Sequence, residues 1–220
     1  MSAEIGLYDA MATTRAVRRL RPDPIPDALL RRVLQAATWA PSGGNRQPWR
    51  IVVVRDAHIK RGLRDLYQGP WTPYAARQRA QIAKLAAASR AKGERSLAAG
   101  DYLAAHLHEA PVIAVFCFNP ELLAITDAHL ARPSIVGGAS VYPAVQNLLL
   151  ACRAEGLGCT LTTLLCAVEP EVRHLLELPE PWATAAFVPI GYPQGRGHGP
   201  VSRKPLEAML FGDRWGAAFA

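Results

Sequence analysis

The sequence lacks a hydrophobic run long enough to cross a bilayer. Its most apolar stretch, residues 112–118, is far shorter than the roughly 20 residues that a spanning helix needs. The segment from Met1 to Asp9 carries an acidic residue early and has no apolar core of signal-peptide length. We therefore expect a cytoplasmic protein with no membrane partner.

Cysteine is also scarce. The four residues stand at positions 117, 152, 159 and 166, and the spacing of the last three matches neither a zinc ribbon nor a redox pair. We expect all four to be reduced, buried and equivalent to small hydrophobic side chains. His106 and His108 are spaced i, i+2 and do not share a helix face, so no metal site is predicted.

Motifs for hydrolytic, nucleophilic and phosphate-loop chemistry are absent. The sequence contains no GxxxxGK[ST], GxSxG or HExxH pattern, and no GxGxxG frame is completed. No close pair of acids and no Cys–His couple suggests a general base or a nucleophile. Such a sequence is typical of a protein whose cofactor carries the chemistry.

Lysine is rare and arginine is abundant: only 4 of the 25 basic residues are Lys. The net charge of +7 combines +11 in residues 1–100 with −4 in residues 101–220. A basic excess can indicate a polyanion partner. However, the arginines lack the interleaved aromatic residues of single-strand binders, and no helix-turn-helix or RNA-recognition signature is present. We expect no nucleic-acid partner and interpret the arginines outside the motifs below as solvated surface.

Half of the 220 residues are hydrophobic, and no linker divides the chain, so a single domain over residues 1–220 is expected. Apolar periodicity favours an α+β fold in which a small mixed sheet is covered by helices. The predicted strands are residues 49–54, 112–118 and 185–190. The predicted helices are residues 4–13, 27 to before Pro41, 58–66, 138–155, one that begins at Pro170, and one that ends near residue 108 after a turn-rich aromatic stretch at 69–74.

A cluster of arginines follows the first predicted helix. Arg15, Arg18 and Arg19 share one face if that helix continues through them. Adjacent guanidinium groups repel one another unless an anion lies between them, so a phosphate is the natural ligand. The alternative is a solvated basic face without a ligand.

Two glycine-containing segments offer further polar groups. Residues 41–49 read Pro-Ser-Gly-Gly-Asn-Arg-Gln-Pro-Trp and provide neutral donors and acceptors next to flexible backbone. Residues 156–164 place hydroxyl groups and backbone amides after a Gly-Leu-Gly turn. Taken alone, each segment is equally well explained as a turn between two elements.

The order of these segments resembles the nitroreductase family of flavin enzymes, in particular its actinobacterial NADH nitroreductases. The resemblance covers roughly residues 8–68 and 111–206. It is carried by Thr-Arg-Ala-Val-Arg-Arg-Leu at residues 14–20, the 41–49 segment, Gln-Asn-Leu-Leu-Leu-Ala at 146–151, Gly-Leu-Gly at 156–158, Gly-Tyr-Pro at 191–193 and Arg-Lys-Pro-Leu at 203–206.

The resemblance implies a nitroreductase-like fold, mainly antiparallel in its sheet, and an intertwined homodimer with FMN at the subunit interface. It implies that residues 69–110 form a variable helical or lid insertion and residues 207–220 a C-terminal extension. The implied FMN-binding residues are Arg15, Arg18 and Arg19; Pro41, Ser42, Asn45 and Gln47, often from the partner subunit; Thr162, Thr163 and Leu164; and Arg203.

Two departures from the family pattern affect the phosphate contacts. A serine commonly found near the first arginine is replaced here, where Ala16 and Val17 stand. The two late basic residues, Arg203 and Lys204, are adjacent rather than separated by one position, so the resemblance carries over Arg203 only.

The resemblance also implies a ping-pong reaction, in which NADH or NADPH reduces the flavin at N5 and a nitroaromatic, quinone or related electron-poor acceptor then oxidises it. No side chain is expected to act as acid or base, and Arg18 is the candidate for electrostatic stabilisation of the reduced flavin. Trp71 and Tyr74 are candidate substrate-binding residues, or else pack on the core.

Other functions remain compatible with the same resemblance. Relatives in the wider superfamily use the flavin for its own oxygen-dependent fragmentation, for dehalogenation or for azoline oxidation. A flavin-binding module without turnover is a further alternative. The physiological acceptor, the choice between NADH and NADPH and the use of a deazaflavin are left open by the sequence.

Overall fold

A five-stranded sheet organises the computed structural model, which describes residues 5–219. The strand order is β1-β5-β3-β2, and β4 also pairs with β5. Every pairing among the described strands is antiparallel, so the expected α+β fold is confirmed while the mixed sheet is not. The strands are β1 (Leu20–Arg21), β2 (Trp49–Val54), β3 (Val112–Phe118), β4 (Gly158–Cys159) and β5 (Ala183–Pro193).

The central strand β3 is buried on both faces of the sheet, because the side chains that point to each face are apolar. Its neighbours are β2, with Trp49 opposite Phe118, and β5, with Val112 opposite Ile190. Successive side chains of a strand point to opposite faces. One face therefore carries Val112, Ala114 and Phe116 into a first core cluster, and the other carries Ile113, Val115 and Cys117 into a second.

Helices cover each face of the sheet and bury these two clusters. Helices α2 and α5 pack together on the first cluster, while α3, α6 and two short 3₁₀ turns (Leu107–Glu109 and Leu164–Val168) enclose the second. Helix α4 packs along α3. The helices are α1 (Leu7–Thr13), α2 (Asp27–Thr38), α3 (Ala57–Ile82), α4 (Ala87–His106), α5 (Tyr142–Ala154) and α6 (Glu169–Leu175).

The strands β2 and β3 have the bounds that the sequence predicted, and β5 is longer than the predicted residues 185–190. Helix α1 begins at Leu7, and the predicted start at Glu4 lies outside the described residues. The helix predicted over residues 138–155 is a 3₁₀ turn, Val136–Ser140, followed by α5.

The predicted turn at residues 69–74 is wrong, because helix α3 runs through it without a break. Pro70 and Pro73 each lack a backbone donor, which ordinarily disfavours a helix interior. The helix persists because Tyr67, Trp71 and Ala75 lie one turn apart and are buried against the second core cluster. Tertiary packing thus outweighs the local preference of the two prolines.

The cysteines are all free thiols, and Cys117, Cys152 and Cys159 are buried as expected. Cys166 is only partly buried, so the prediction is wrong in that detail. Burial raises the pKa of the Cys117 thiol to about 12, which keeps it protonated at neutral pH.

Candidate functional site

Four arginines predicted from the sequence meet in one cleft of about 720 Å³, which we call the basic cleft. It lies between the segment that follows α1, the exposed face of α4 and the chain after β5. Residues 194–203 contribute the third wall. The charged residues that line the cleft are Arg15, Arg18, Arg19, Lys92, Arg95, Arg196 and Arg203.

The arginine segment is not helical. Helix α1 ends at Thr13, so the expected helical face of Arg15, Arg18 and Arg19 is wrong. The backbone N–H of Val17 instead donates to the carbonyl of Cys159 over 2.9 Å, and the Val17 side chain is buried. Anchoring Val17 in the core leaves its neighbours Ala16 and Arg18 beside the cleft.

Neighbouring groups fix two of these arginines. Nε of Arg15 donates to the carbonyl of Gly197 over 2.7 Å, which ties the start of the segment to the chain after β5. The guanidinium of Arg19 lies 4.1 Å from the ring centroid of Tyr102 on α4, in a cation–π contact. Both contacts position an arginine through a neutral partner, so they leave the positive charge of the cleft unneutralised.

No carboxylate lines the basic cleft among the described residues. Likewise, none of the described ion pairs includes Arg15, Arg18 or Arg203. Clustered guanidinium groups repel one another unless an anion lies among them, and Arg binds phosphate through parallel N–H donors. The cleft is consequently suited to an anionic ligand.

A second cavity of about 390 Å³, the aromatic pocket, adjoins the basic cleft, because Arg18 and Ser96 line both. The predicted residues Thr162, Thr163 and Leu164 form part of its wall. Tyr67, Trp71 and Tyr74 of α3 form the opposite part. The volume lies within the usual range for small-molecule pockets.

Tyr67 links the two walls of the aromatic pocket. Its hydroxyl oxygen lies 3.1 Å from Oγ1 of Thr162, and both residues are buried. Burial raises the pKa of Tyr67, and the hydrogen bond to Thr162 and the charge of Arg18 oppose that rise. The backbone of Thr162 also pairs with Phe187 of β5 through bonds of 2.9 and 3.0 Å, so this wall is continuous with the sheet.

Trp71 and Tyr74 line the pocket in different ways. Trp71 is only 9% exposed, and its Nε1 donates to Oδ1 of Asp101 over 3.1 Å. Its ring packs so closely on α4 that a Cβ added at Gly100 would lie 2.3 Å from it. Tyr74 is 37% exposed and is the more accessible of the two rings.

The predicted loop at residues 41–47 lies away from both cavities. Ser42 Oγ accepts from the backbone N–H of Gln47 over 2.9 Å, and Nε2 of Gln47 donates to Oδ1 of Asn45 over 3.2 Å. The backbone N–H of Gly43 donates to Oγ of Ser140 over 3.0 Å. Pro41, Ser42, Asn45 and Gln47 are therefore not brought together with the arginines within one chain.

The Nitroreductase family model matches residues 11–192, which include the arginine segment, both walls of the aromatic pocket, the strands β1 to β4 and all of β5 except its last residue. The chain belongs to the nitroreductase family. The resemblance stated from the sequence is thereby confirmed.

Individual nitroreductase relatives cover nearly the whole chain. A protein of Thermus thermophilus named NADH dehydrogenase is 36% identical over 96% of this chain and 98% of its own length. A 5,6-dimethylbenzimidazole synthase of Rhodospirillum rubrum is 33% identical over 86% of this chain and 82% of its own length. The crystal structure of oxidised iodotyrosine deiodinase bound to FMN and 3-iodo-L-tyrosine superposes with a TM-score of 0.62 at 26% identity, covering 91% of this chain and 94% of that one.

Several residues that line the two cavities of this nitroreductase-family protein escaped the sequence analysis. Arg95 and Arg196 were interpreted as solvated surface and Lys92 was not singled out, yet all three line the basic cleft. Tyr67 was not singled out, although its spacing of four residues from Trp71 indicates a shared helix face. Within residues 5–219 no helix has the length and apolar character needed to cross a membrane, and no His, Cys, Asp or Glu cluster is arranged to hold a metal ion.

Proposed function

We propose that this protein binds FMN in the basic cleft and aromatic pocket and is an NAD(P)H-dependent oxidoreductase. The proposal is supported by the family and by two of the relatives. One is the iodotyrosine deiodinase whose crystal structure contains bound FMN, and the other is the Thermus thermophilus protein named NADH dehydrogenase.

The observation that carries the proposal is the position of Arg18 between two chemically different cavities. On one side lies a cleft rich in cations, and on the other a pocket lined by threonine hydroxyl groups and aromatic rings. FMN has the same division between a phosphate and a flat ring system. The residues present therefore fit this cofactor, with Arg15, Arg19 and Arg203 toward the phosphate and Thr162, Thr163 and Leu164 toward the ring.

Bound FMN supplies the chemistry, because the flavin ring accepts a hydride equivalent from a nicotinamide and passes reducing equivalents to an acceptor. The protein positions the ring, restricts water and places the charge of Arg18 beside it, where a positive group stabilises developing negative charge. None of the described residues lining the aromatic pocket is Asp, Glu or His. We therefore infer that protons for the acceptor come from solvent.

The acceptor is proposed to enter the aromatic pocket beside Tyr74. A nitroaromatic or quinone presents a flat, electron-poor ring, and such rings pack well against aromatic side chains. Tyr74 is accessible for this contact, and its ring centroid lies 5.6 Å from that of Trp71, which a hydrogen bond to Asp101 holds in place.

A homodimer is proposed because one chain does not bring its own polar loop to the site. Pro41, Ser42, Asn45 and Gln47 line neither cavity of their own chain, and a partner subunit would place them over the flavin. Large exposed apolar side chains support an interface: Tyr8 is 85% exposed, Trp39 73% and Trp215 92%.

The visible spectrum of the purified protein tests the proposal. We expect oxidised-flavin absorption, bleaching by NADH or NADPH without oxygen, and recovery on addition of a nitroaromatic or quinone. A colourless protein that takes up no FMN on reconstitution would overturn it.

A second candidate, a different flavin reaction on the same fold, is favoured by the 33% identity to the 5,6-dimethylbenzimidazole synthase. Product analysis separates the two. Sustained, acceptor-dependent consumption of NAD(P)H supports the reductase, whereas loss of the flavin absorption under oxygen, with conversion of FMN to another compound, supports fragmentation. A flavin-bound protein that reduces no acceptor and leaves its FMN intact is a binding module.

A further inference from the structure

One face of α4 extends the basic cleft beyond the predicted arginine cluster. Lys92, Arg95, Ser96 and Ala99 all line the cleft, and their spacing of three, four and seven residues places them on a single helix face. Lys92 and Arg95 are exposed and take part in none of the described ion pairs. A different position on the same helix, Asp101, does form an ion pair, with Arg79 at 2.7 Å.

The charge of the cleft exceeds what one cofactor phosphate requires. Seven cationic side chains and no carboxylate line the cleft among the described residues. A phosphate monoester carries a charge of roughly −1.5 to −2 at neutral pH. Arg15, Arg19 and Arg203 already provide more than enough opposite charge for that group, so the cations of α4 are left for a second anion.

The position of Ser96 indicates which kind of ligand carries the second anion. Ser96 lines both cavities and lies next to Arg95 and one turn from Lys92. A ligand with phosphate at these two cations can therefore extend a ring into the aromatic pocket. The reductant in the proposed function has this form, with a nicotinamide joined to phosphate groups.

We propose that Lys92 and Arg95 form a second phosphate subsite, which binds the phosphate groups of the nicotinamide nucleotide. The inference rests on the proposed function and adds to it the residues that bind the reductant. Two phosphate sources fit the same cations, namely the diphosphate common to NAD⁺ and NADP⁺ and the additional 2′-phosphate of NADP⁺.

The experiment compares two double variants of the FMN-loaded protein. Lys92→Ala/Arg95→Ala removes the subsite. Lys84→Ala/Arg90→Ala is the matched control, since it removes the same two charges from the start of α4 and the turn before it, and neither residue lines the cleft. Binding of NAD⁺ and NADP⁺ is measured by calorimetry, and FMN content by absorbance.

We expect the first variant to bind nucleotide roughly tenfold or more weakly, as for the loss of charge-assisted phosphate contacts, with FMN content unchanged. The control should bind as the wild type does. Weakening for both nucleotides assigns the subsite to the diphosphate, and weakening for NADP⁺ alone assigns it to the 2′-phosphate.

Three results would overturn the inference: unchanged nucleotide affinity, equal weakening in the control, or loss of FMN in place of nucleotide binding. A wild-type protein that takes up no FMN refutes the proposed function itself. Failure of the proposed function can thus be distinguished from failure of this inference, because FMN uptake is measured on the wild-type protein before any variant is compared.

Discussion

The hydroxyl groups of Tyr67 and Thr162 lie 3.1 Å apart and join helix α3 to the segment after β4 at the buried side of the aromatic pocket. Tyr67 belongs to the helix that forms one wall, and Thr162 is bound through its backbone to β5. This contact fixes the separation of the two walls, so it connects the stability of the fold with the shape of the site.

Replacing Tyr67 with Phe should destabilise the protein by about 1–3 kcal/mol, because the Thr162 hydroxyl loses its side-chain partner in a buried place. The Tyr67→Phe/Thr162→Val double variant should lose less than the sum of the single changes, with a coupling of at least about 0.5 kcal/mol. Urea unfolding of the wild type, the two single variants and the double variant measures this coupling free energy. Additive losses would show that the two hydroxyl groups do not interact.

The close packing of α4 on α3 predicts a second effect. A Cβ at Gly100 would lie 2.3 Å from the Trp71 ring, so Gly100→Ala should cost about 1–3 kcal/mol through overpacking and should shift the tryptophan fluorescence. The control is Gly100→Ala in a Trp71→Phe background. The atoms nearest to the added Cβ all belong to the six-membered ring of the Trp71 indole, and the shorter phenylalanine leaves more room there, so the substitution should cost less in that background. An equal loss of stability in both backgrounds would contradict the packing explanation.

Three of the five strands and most helices could be predicted from the sequence because their signals are local, whereas the two-residue strands β1 and β4 are too short to give one. A continuous run of seven apolar residues defines β3, and the i, i+3, i+7 spacing of Leu30, Val33 and Ala37 defines the buried face of α2. The course of α3 through Pro70 could not be predicted, because the packing of Trp71 on α4 overrides the local signal.

The site was predictable to the extent that its motifs are contiguous. Arg15, Arg18 and Arg203, which the family resemblance implies as FMN-binding residues, line the same basic cleft. Lys92 and Arg95 were missed, because their place in the site depends on how α4 docks against the chain after β5. Such a contact between distant segments leaves no local pattern in the sequence.

Lowering the pH should decrease the stability of the fold, because His198 becomes protonated more readily in the unfolded chain. Burial lowers the pKa of His198 below its ordinary value near 6.5; the hydrogen bond to Leu157 opposes this, and the charges of Arg153 and Arg15 add to it. The unfolded chain therefore binds a proton at a pH where the folded chain does not, so this contribution to stability is complete above about pH 6.5 and is lost as the pH falls toward the lowered pKa.

Urea unfolding between pH 7.5 and 5 measures this dependence. His198→Gln keeps a donor for the Leu157 carbonyl and removes the titrating group, so the variant should lose less stability on acidification. Part of the slope should remain, since burial also lowers the pKa of His108. An identical slope in wild type and variant would exclude His198 as a source.

Arg18 should affect the cofactor more than the fold. It lies between the two cavities, and its removal should raise the dissociation constant for FMN by roughly tenfold or more and slow flavin reduction by NAD(P)H. Arg18→Lys should recover part of the affinity, because it keeps the charge without the paired donors. The control is Arg31→Ala, which removes an exposed arginine from α2. Unchanged flavin content and reduction rate in Arg18→Ala would remove this residue from the site.

A mixed dimer tests whether the loop at residues 41–47 serves the partner's site. One chain carries Arg15→Ala/Arg203→Ala, and the other carries Asn45→Gly/Gln47→Gly; glycine is chosen because both loop residues have positive φ, 53° and 48°. Each variant alone should retain little flavin. When the two chains are co-expressed and purified through two different tags, one site of the heterodimer has both defects and the other has none. We therefore expect flavin in about half of the sites, since intact cleft and intact loop are reunited across the interface. If the loop served its own chain, both sites would remain defective and the heterodimer would be as colourless as either parent.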